Sequence, residues 1–202
     1  YQGARTSTKE AMAKTLKYTH IDDSALNESY KNLLRHLKQI DKEIALNISN
    51  SIWIREGESI EEQFIATNRD VFDAFVTQLD FSREDAADQI NQWISDATNK
   101  MIEKMLEPPI SPNVVMYLIN AIYFKGDWTH QFDKNNTLES PFHAGSGITQ
   151  QAMMMSKNGT VEFGQGDGFK AVRLPYGNEK MAMYCILPDE NTNINDFNSY
   201  SA

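Results

Sequence analysis

The stretch Asn113–Trp128, NVVMYLINAIYFKGDW, governs how the rest of the chain is interpreted. Val114–Ile119 is an unbroken apolar run, too short to indicate a helix, and it lies between Pro112 and Gly126. A run without polar alternation is typical of a strand that is covered on both faces, so we expect it in the middle of a sheet. Asn120 follows the run, and a buried carboxamide at this point needs several hydrogen-bond partners.

Length and composition fit one domain or a large part of one. The 202 residues are 41% hydrophobic, which is enough for a substantial core. The net charge of −9 argues against a nucleic-acid partner, because phosphate binding depends on clustered Lys and Arg. No stretch approaches the ~18–20 apolar residues of a transmembrane helix, so we predict no membrane partner. Cys185 is the only cysteine, which excludes an intrachain disulfide, and its apolar neighbours predict a packed core thiol.

Apolar periodicity predicts helices followed by a run of strands, which is typical of an α+β fold. The apolar stripe over Leu26–Ile40 begins just after Asp22–Ser24 and predicts the clearest helix. Ser82–Asp85 is a variant capping box, and it opens a predicted helix over Ala86–Leu106 that two prolines end. The other predicted elements are a short helix within Gly3–Tyr18, strands at Ile44–Ile54 and Phe75–Phe81, a helix at Glu61–Phe72, short strands from Ala152 to Pro188, and a helical start at Asn195–Ser201.

The sequence does not contain the motifs of catalytic or cofactor sites. The glycine-rich GQGDG at Gly164–Gly168 lacks the Lys and Ser/Thr of a phosphate loop, and no GxSxG motif occurs. None of the four histidines has the spacing of a metal ligand: His20, His36, His130 and His143. We therefore predict a protein that is not an enzyme, with no metal site and no cofactor.

Five segments, in their order along the chain, resemble the serpin family of serine protease inhibitors. NAIYFKGDW at Asn120–Trp128 is similar to the pattern along the third strand of the main serpin sheet. Five ordered motifs are far more specific than any one of them. The first two of the other four are GARTSTKEAMAKTL (Gly3–Leu16), which resembles the end of an early helix, and LNISNSIWI (Leu46–Ile54), which resembles the second strand of the main sheet. The last two are INQWISDATNKMI (Ile90–Ile102), which resembles the helix across that sheet, and FKAVRLPYGNEKMAMYCILP (Phe169–Pro188), which resembles the paired strands of the second sheet.

The resemblance implies a serpin-like α+β fold, with a large, mainly antiparallel sheet, helices packed on it and a second, smaller sheet. It covers nearly all 202 residues and implies one partial domain, roughly the middle half of a serpin, with no internal boundary. In the family pattern, further helices come before the part that matches Gly3, and the reactive loop with its bait bond comes after the part that matches Ala202. We therefore expect an incomplete domain that does not inhibit by itself. It should be poorly stable alone, because the strand at Asn113–Phe124 would lose a neighbour.

The function implied by the resemblance is irreversible, or suicide, inhibition of proteases. The protease attacks an exposed bait loop, forms an acyl-enzyme, and is carried across the molecule when the cleaved loop enters the main sheet. The implied partner is a serine protease, or in some serpins a cysteine protease, bound through a segment outside this chain. A complementary C-terminal fragment is the other expected partner. Two alternatives stay open: a non-inhibitory carrier or chaperone, and a structural or interaction domain. The compartment is undetermined, with secretion favoured.

Three positions are expected to control the opening of the main sheet. Asn120 and Trp128 match family positions along the strand that parts from its neighbour when the loop inserts, and Asn50 matches one on the adjacent strand. Taken from the residues alone, both asparagines are ordinary satisfied amides and Trp128 is a core aromatic. The family pattern favours the switch interpretation.

The helix over Ala86–Leu106 is expected to act as a clasp across the sheet, with Asn91, Trp93 and Thr98 as its characteristic residues. One residue departs from the family pattern. Lys100 stands where a glycine usually follows Thr-Asn, which predicts a local difference in packing.

A line of cations on the second helix has two interpretations. Lys31, Arg35 and Lys38 lie at i, i+4 and i+7, and the corresponding helix binds sulfated polysaccharide in some serpins. Glu28 and Asp41 lie close by in sequence, so an ordinary solvated face is favoured.

Two further patterns have plain interpretations. Met153–Met155 is assigned to core packing, because adjacent strand positions face opposite ways and cannot form one site. Four N-x-S/T sequons do not by themselves support glycosylation in a chain this rich in Asn, Ser and Thr: Asn27, Asn47, Asn135 and Asn158.

Overall fold

The computed structural model describes residues 1–144, 147–190 and 197. Contacts divide the chain into two compact units, Tyr1–Lys125 and Gly126–Ala202. The absence of an internal domain boundary stays a prediction. The predicted helical start at Asn195–Ser201 falls outside the described residues, apart from Phe197.

The first unit combines four helices with a three-stranded sheet, largely as the sequence predicts. The predicted start of the second helix is confirmed, because the Asp22 carboxylate accepts hydrogen bonds from the backbone N–H groups of Ser24 and Ala25. The elements are α1 (Thr6–Thr15), α2 (Asp23–Lys38), β1 (Ile44–Arg55), α3 (Glu62–Phe72), β2 (Ala74–Leu79), α4 (Ala86–Ala97) and β3 (Met116–Gly126).

The sheet has the strand order β2-β1-β3, so β1 is its central strand. β1 and β2 run parallel from the pair Asn50 and Ala74 onward, and a parallel pair needs a crossover, which α3 supplies. β3 runs antiparallel to β1. The Arg55 N–H donates to the Val115 carbonyl at 2.9 Å, whereas the Asn120 side chain, later in β3, reaches Asn50, earlier in β1.

The hydrophobic core of the first unit lies between the sheet and α4. Ile90 on α4 is fully buried, and Trp53 on β1 is 5% exposed. Phe81, predicted as the last residue of a strand, instead lies beyond β2, which ends at Leu79, and its ring is 1% exposed. The buried cluster consists of Trp53, Phe81, Ala86, Ala87, Ile90, Ile94, Ile110 and Ile119.

The prediction that β3 is covered on both faces is wrong for this chain. Ile119 and Ala121 are buried against the core, but Leu118 and Ile122 on the opposite face are 61% and 58% exposed. Asn120 shares that exposed face, so it is not a buried amide. Within residues 1–144, 147–190 and 197, β3 pairs with β1 alone, so its other edge has no strand partner there.

The prediction of a continuous helix to Leu106 is also wrong, because α4 ends at Ala97. Asn99 and Lys100 have φ angles of 52° and 64°, in the left-handed region that cannot continue a right-handed helix. The apolar period that suggested a longer helix continues through Met101, but this side chain is 74% exposed.

The start of α4 is confirmed at Ala86, but the predicted capping box is not formed. The Asp80 carboxylate accepts hydrogen bonds from the N–H and the hydroxyl of Ser82, and these bonds lower the pKa of Asp80. Asp85 accepts two hydrogen bonds from the Arg83 guanidinium at 2.8 Å, which lowers the pKa of Asp85 to about 2. The acidic and hydroxyl groups therefore order the turn before α4.

The second unit is a set of antiparallel strands. β5 pairs with β4, and β7 lies between β6 and β8 among the described residues. Core packing was predicted for Cys185 and Met153–Met155, but all four side chains are exposed. The elements are a 3-10 helix (Lys134–Asn136), β4 (Leu138–His143), β5 (Thr149–Met154), β6 (Glu162–Gly166), β7 (Phe169–Tyr176) and β8 (Met181–Pro188).

We expect the purified chain to self-associate, because one edge of β3 has no strand partner among the described residues and Leu118 and Ile122 beside that edge are exposed. The substitution Ile122→Lys places a charge beside that edge and should shift the chain towards monomer in sedimentation velocity. Leu33→Lys is the matched control, since Leu33 is also exposed but lies on α2. A wild-type chain that is monomeric and melts cooperatively would contradict this expectation.

Candidate sheet-opening site

Two of the three predicted switch residues, Asn50 and Asn120, contact each other. The Asn120 side-chain amide donates to Oδ1 of Asn50 at 2.9 Å and to the Ser49 carbonyl at 3.5 Å. The Asn50 amide donates in turn to the carbonyl of Phe72, the last residue of α3, at 2.8 Å. Asn50 is half-buried and Asn120 is exposed. This chain of hydrogen bonds joins β3, β1 and the end of α3.

Trp128, the third predicted switch residue, belongs to the second unit, where it lies against other aromatic rings. Its ring stacks on Tyr176 with a centroid distance of 4.4 Å, and the two residues also form a backbone bridge. Phe132 approaches the same ring edge-on at 6.1 Å. Burial raises the pKa of Tyr176. Trp128 therefore fixes the chain that follows β3 onto the end of β7.

The predicted clasp residue Asn91 does hold a segment of chain, although that segment is not helical. Its Oδ1 accepts hydrogen bonds from the N–H groups of Met105 and Leu106, both at 2.9 Å. Its Nδ2 donates to the Leu106 carbonyl at 2.8 Å. One 5% exposed carboxamide thus satisfies three backbone groups of the segment that follows α4.

Thr98 and Trp93 have different roles in the clasp. The Thr98 hydroxyl, 1% exposed, donates to the Ile94 carbonyl at 2.8 Å and accepts from the Ile102 N–H at 3.1 Å, so it orders the chain as it leaves α4. Trp93 is half-buried and packs against the core cluster.

Lys100, where the family usually has glycine, adopts a left-handed backbone, which costs a residue with a Cβ about 1–2 kcal/mol.

Arg55, at the end of β1, makes long-range contacts that no pattern in the sequence predicts. Its guanidinium donates to the carbonyls of Val114 at 2.7 Å and Ser111 at 3.0 Å, and it lies 5.1 Å from the centroid of the Phe81 ring. Arg55 thereby holds the loop before β3 to β1. No local pattern connects residue 55 with residues 111–114, so only the folded chain reveals this link.

Two of the three cations on α2 form ion pairs with carboxylates in α3 and at its C-terminal cap. Lys31 pairs with Asp70 at 2.6 Å and Lys38 with Asp73 at 2.7 Å. Arg35 donates to the Asn32 side chain within α2. Two of the three cations therefore face carboxylates, which supports the interpretation as a solvated face.

No group of three or more His, Cys, Asp and Glu side chains in the described ranges could hold a metal ion. None of the described helices combines the length and apolar character that a membrane crossing requires.

A double-mutant cycle tests the asparagine pair. We expect Asn50→Ala and Asn120→Ala to show a coupling free energy of about 0.5–1.5 kcal/mol, because either change removes the hydrogen bond between the two amides. The measurement is urea unfolding at protein concentrations that keep the chain monomeric. Asn32→Ala combined with Asn120→Ala is the control cycle and should be additive. Additivity in the Asn50 cycle would count against the pair.

Hydrogen exchange tests the clasp. Asn91→Ala removes the acceptor of the Met105 and Leu106 N–H groups, so these amides should lose protection. Gln92→Ala is the matched control on the exposed side of α4 and should leave exchange at residues 105–106 unchanged. Unchanged protection in Asn91→Ala would show that this segment is held by other contacts.

Sequence comparisons place this arrangement among known proteins. The family model described as Serpin (serine protease inhibitor) matches residues 1–200. Antichymotrypsin-2 of Bombyx mori is 30% identical over 191 residues, which cover 93% of this chain and 50% of that protein. An uncharacterised serpin-like protein of Methanosarcina acetivorans is 30% identical over 194 residues, 95% of this chain and 45% of that protein. The chain thus spans about half the length of the curated relatives it matches.

Solved structures agree with the sequence comparisons. The native state of the thermophilic serpin tengpin has a TM-score of 0.87 at 28% identity, over 98% of this chain and 50% of that one. An Arabidopsis serpin in its native stressed conformation has a TM-score of 0.87 at 26% identity, over 98% and 53% of the two chains. The predicted α+β, serpin-like fold is confirmed. This chain belongs to the serpin family.

Proposed function

We propose that this chain carries the receiving sheet of a serpin-type irreversible inhibitor of serine proteases. The observation that supports this most directly is the free edge of β3, which within residues 1–144, 147–190 and 197 pairs with β1 alone. The inhibitory class is supported by the names of relatives, such as antitrypsin of Bombyx mori at 30% identity over 191 residues. The bait loop itself would come from a segment other than those described.

The proposed reaction begins as ordinary proteolysis. The protease serine attacks the scissile carbonyl of the bait loop, the peptide bond breaks, and an ester links the loop to the protease. The freed end of the loop then enters the main sheet beside β3 and carries the protease with it. Distortion of the protease active site would prevent water from hydrolysing the ester, so the complex persists.

The driving force proposed for insertion is strand pairing. The free edge of β3 presents backbone N–H and C=O groups with no strand partner among the described residues, and an inserted strand would satisfy them. Serpin loop insertion is itself a standard example of strand addition and of the release of stored strain.

The residues of the candidate site fit distinct roles in this proposal. Hydrogen bonds from Asn120 to Asn50, and from Asn50 to the end of α3, would keep β3 attached to β1 while the other edge of β3 takes a new neighbour. Asn91 would keep the segment after α4 in place over the sheet during that exchange. Trp128 would anchor the chain just beyond β3 through its stack on Tyr176.

The test is a protease panel applied to the full-length protein that contains this chain. Trypsin-like, chymotrypsin-like and elastase-like serine proteases and a papain-like cysteine protease are each incubated with it. We expect at least one protease to form a complex that survives boiling in SDS, because the ester is covalent. The same protease with its catalytic serine changed to alanine is the control and should form no such complex.

The other outcomes separate the alternatives. Cleavage of the bait loop without a stable complex would overturn inhibition and favour a non-inhibitory carrier or chaperone. A protein that is neither cleaved nor trapped would favour a structural or interaction domain.

A further inference from the structure

One connection in the second unit has the features of a chemically reactive backbone turn. Asn158-Gly159 is the only Asn-Gly pair among the 202 residues. It lies in the link between β5, which ends at Met154, and β6, which begins at Glu162. Asn158 is exposed, and a Cβ built on Gly159 would meet no atom within 4 Å.

The backbone at this turn is open to attack and free to move. Gly159 has a φ of 149°, and in the range 147–190 no backbone hydrogen bond holds its N–H. The Asn158 side chain likewise has no hydrogen-bond partner in that range. The following residue has no side chain to hinder ring closure, so the Gly159 nitrogen can approach Cγ of Asn158.

We propose that Asn158 is a site of spontaneous deamidation, with water as the only co-reactant. The Gly159 backbone nitrogen gives up its proton and attacks Cγ of Asn158. A carbon–nitrogen bond forms, the side-chain nitrogen leaves as ammonia, and a five-membered succinimide results. Water then opens this ring at either carbonyl and yields an aspartate or an isoaspartate. Hydroxide promotes the first step because it removes the proton from the attacking nitrogen.

The product places a new carboxylate beside a lysine that helps to fix the second unit. The Lys157 ammonium donates to the His130 carbonyl at 3.0 Å and lies 5.9 Å from the centroid of the Phe132 ring. Lys157 also lines a cavity of about 150 Å³ together with Trp128. A carboxylate at position 158 competes with the His130 carbonyl for this ammonium. It also makes the net charge of the chain one unit more negative than −9.

The experiment ages the purified chain in mildly acidic and mildly alkaline buffer at body temperature, followed by trypsin digestion and mass spectrometry. The tryptic peptide Asn158–Lys170 reports the site, through a mass gain of about one dalton and fragments that distinguish isoaspartate. Asn136 is the internal reference, since it is also exposed but precedes the β-branched Thr137. We expect Asn158 to react at least about tenfold faster than Asn136, and faster still in alkaline buffer.

Two variants complete the test. Asn158→Gln would need a larger ring and should stay unmodified at this position. Asn158→Asp should match the aged wild-type chain in isoelectric focusing. The proposal is overturned if Asn158 reacts no faster than Asn136, or if the aged chain contains no isoaspartate at this position.

Discussion

Burial of β1 on both of its faces is the constraint on which the first unit depends. Ile52, Trp53 and Ile54 are successive residues that point to alternate faces, yet none is more than 5% exposed. A fully buried side chain of this size contributes about 1.5–3 kcal/mol relative to an exposed one. β2 and β3 pair with the two edges of β1, and α4 packs on the face that carries Trp53. The central strand is thus the common surface on which the other elements assemble.

The polar contacts of the candidate site differ in kind from this apolar core. The pairing of Asn50 with Asn120 lies at a half-buried to exposed position, so its hydrogen bonds compete with water and contribute modestly. A carboxamide pair can exchange partners without leaving a buried charge. Under the proposed function, the asparagine contacts hold β3 on β1 through bonds that can adjust while a new strand is added at the other edge of β3, and the Trp53 cluster keeps the central strand buried.

The sequence predicted the ends of helices and strands correctly where neighbouring residues determine them. The start of α2 was predicted because Asp22 caps it, and β1 was predicted within one residue of its end. The end of α4 was not predicted, because the apolar period continues through Met101 while Asn99 and Lys100 turn left-handed. The spacing of apolar residues does not indicate the backbone angles of the polar residues that lie between them.

Local sequence patterns could not predict contacts between residues that are far apart in the chain. The link from Arg55 to Ser111 and Val114 joins parts of the chain that share no periodicity. The proposed role of Asn50 and Asn120 rests on the family resemblance, whereas their direct hydrogen bond is visible only in the folded chain. The exposed face of β3 was missed for a similar reason, because an apolar run does not indicate how many neighbours a strand has.

The strand order has a consequence for how the sheet forms during synthesis. β1, α3 and β2 are consecutive, so their parallel pair can close soon after this stretch leaves the ribosome. β3 is synthesised after these elements, and it also closes a longer loop, since Asn120 meets a residue 70 positions earlier in the chain. By this order of synthesis, β3 is the last strand added to the sheet. Until it pairs, one edge of β1 is open to neighbouring nascent chains.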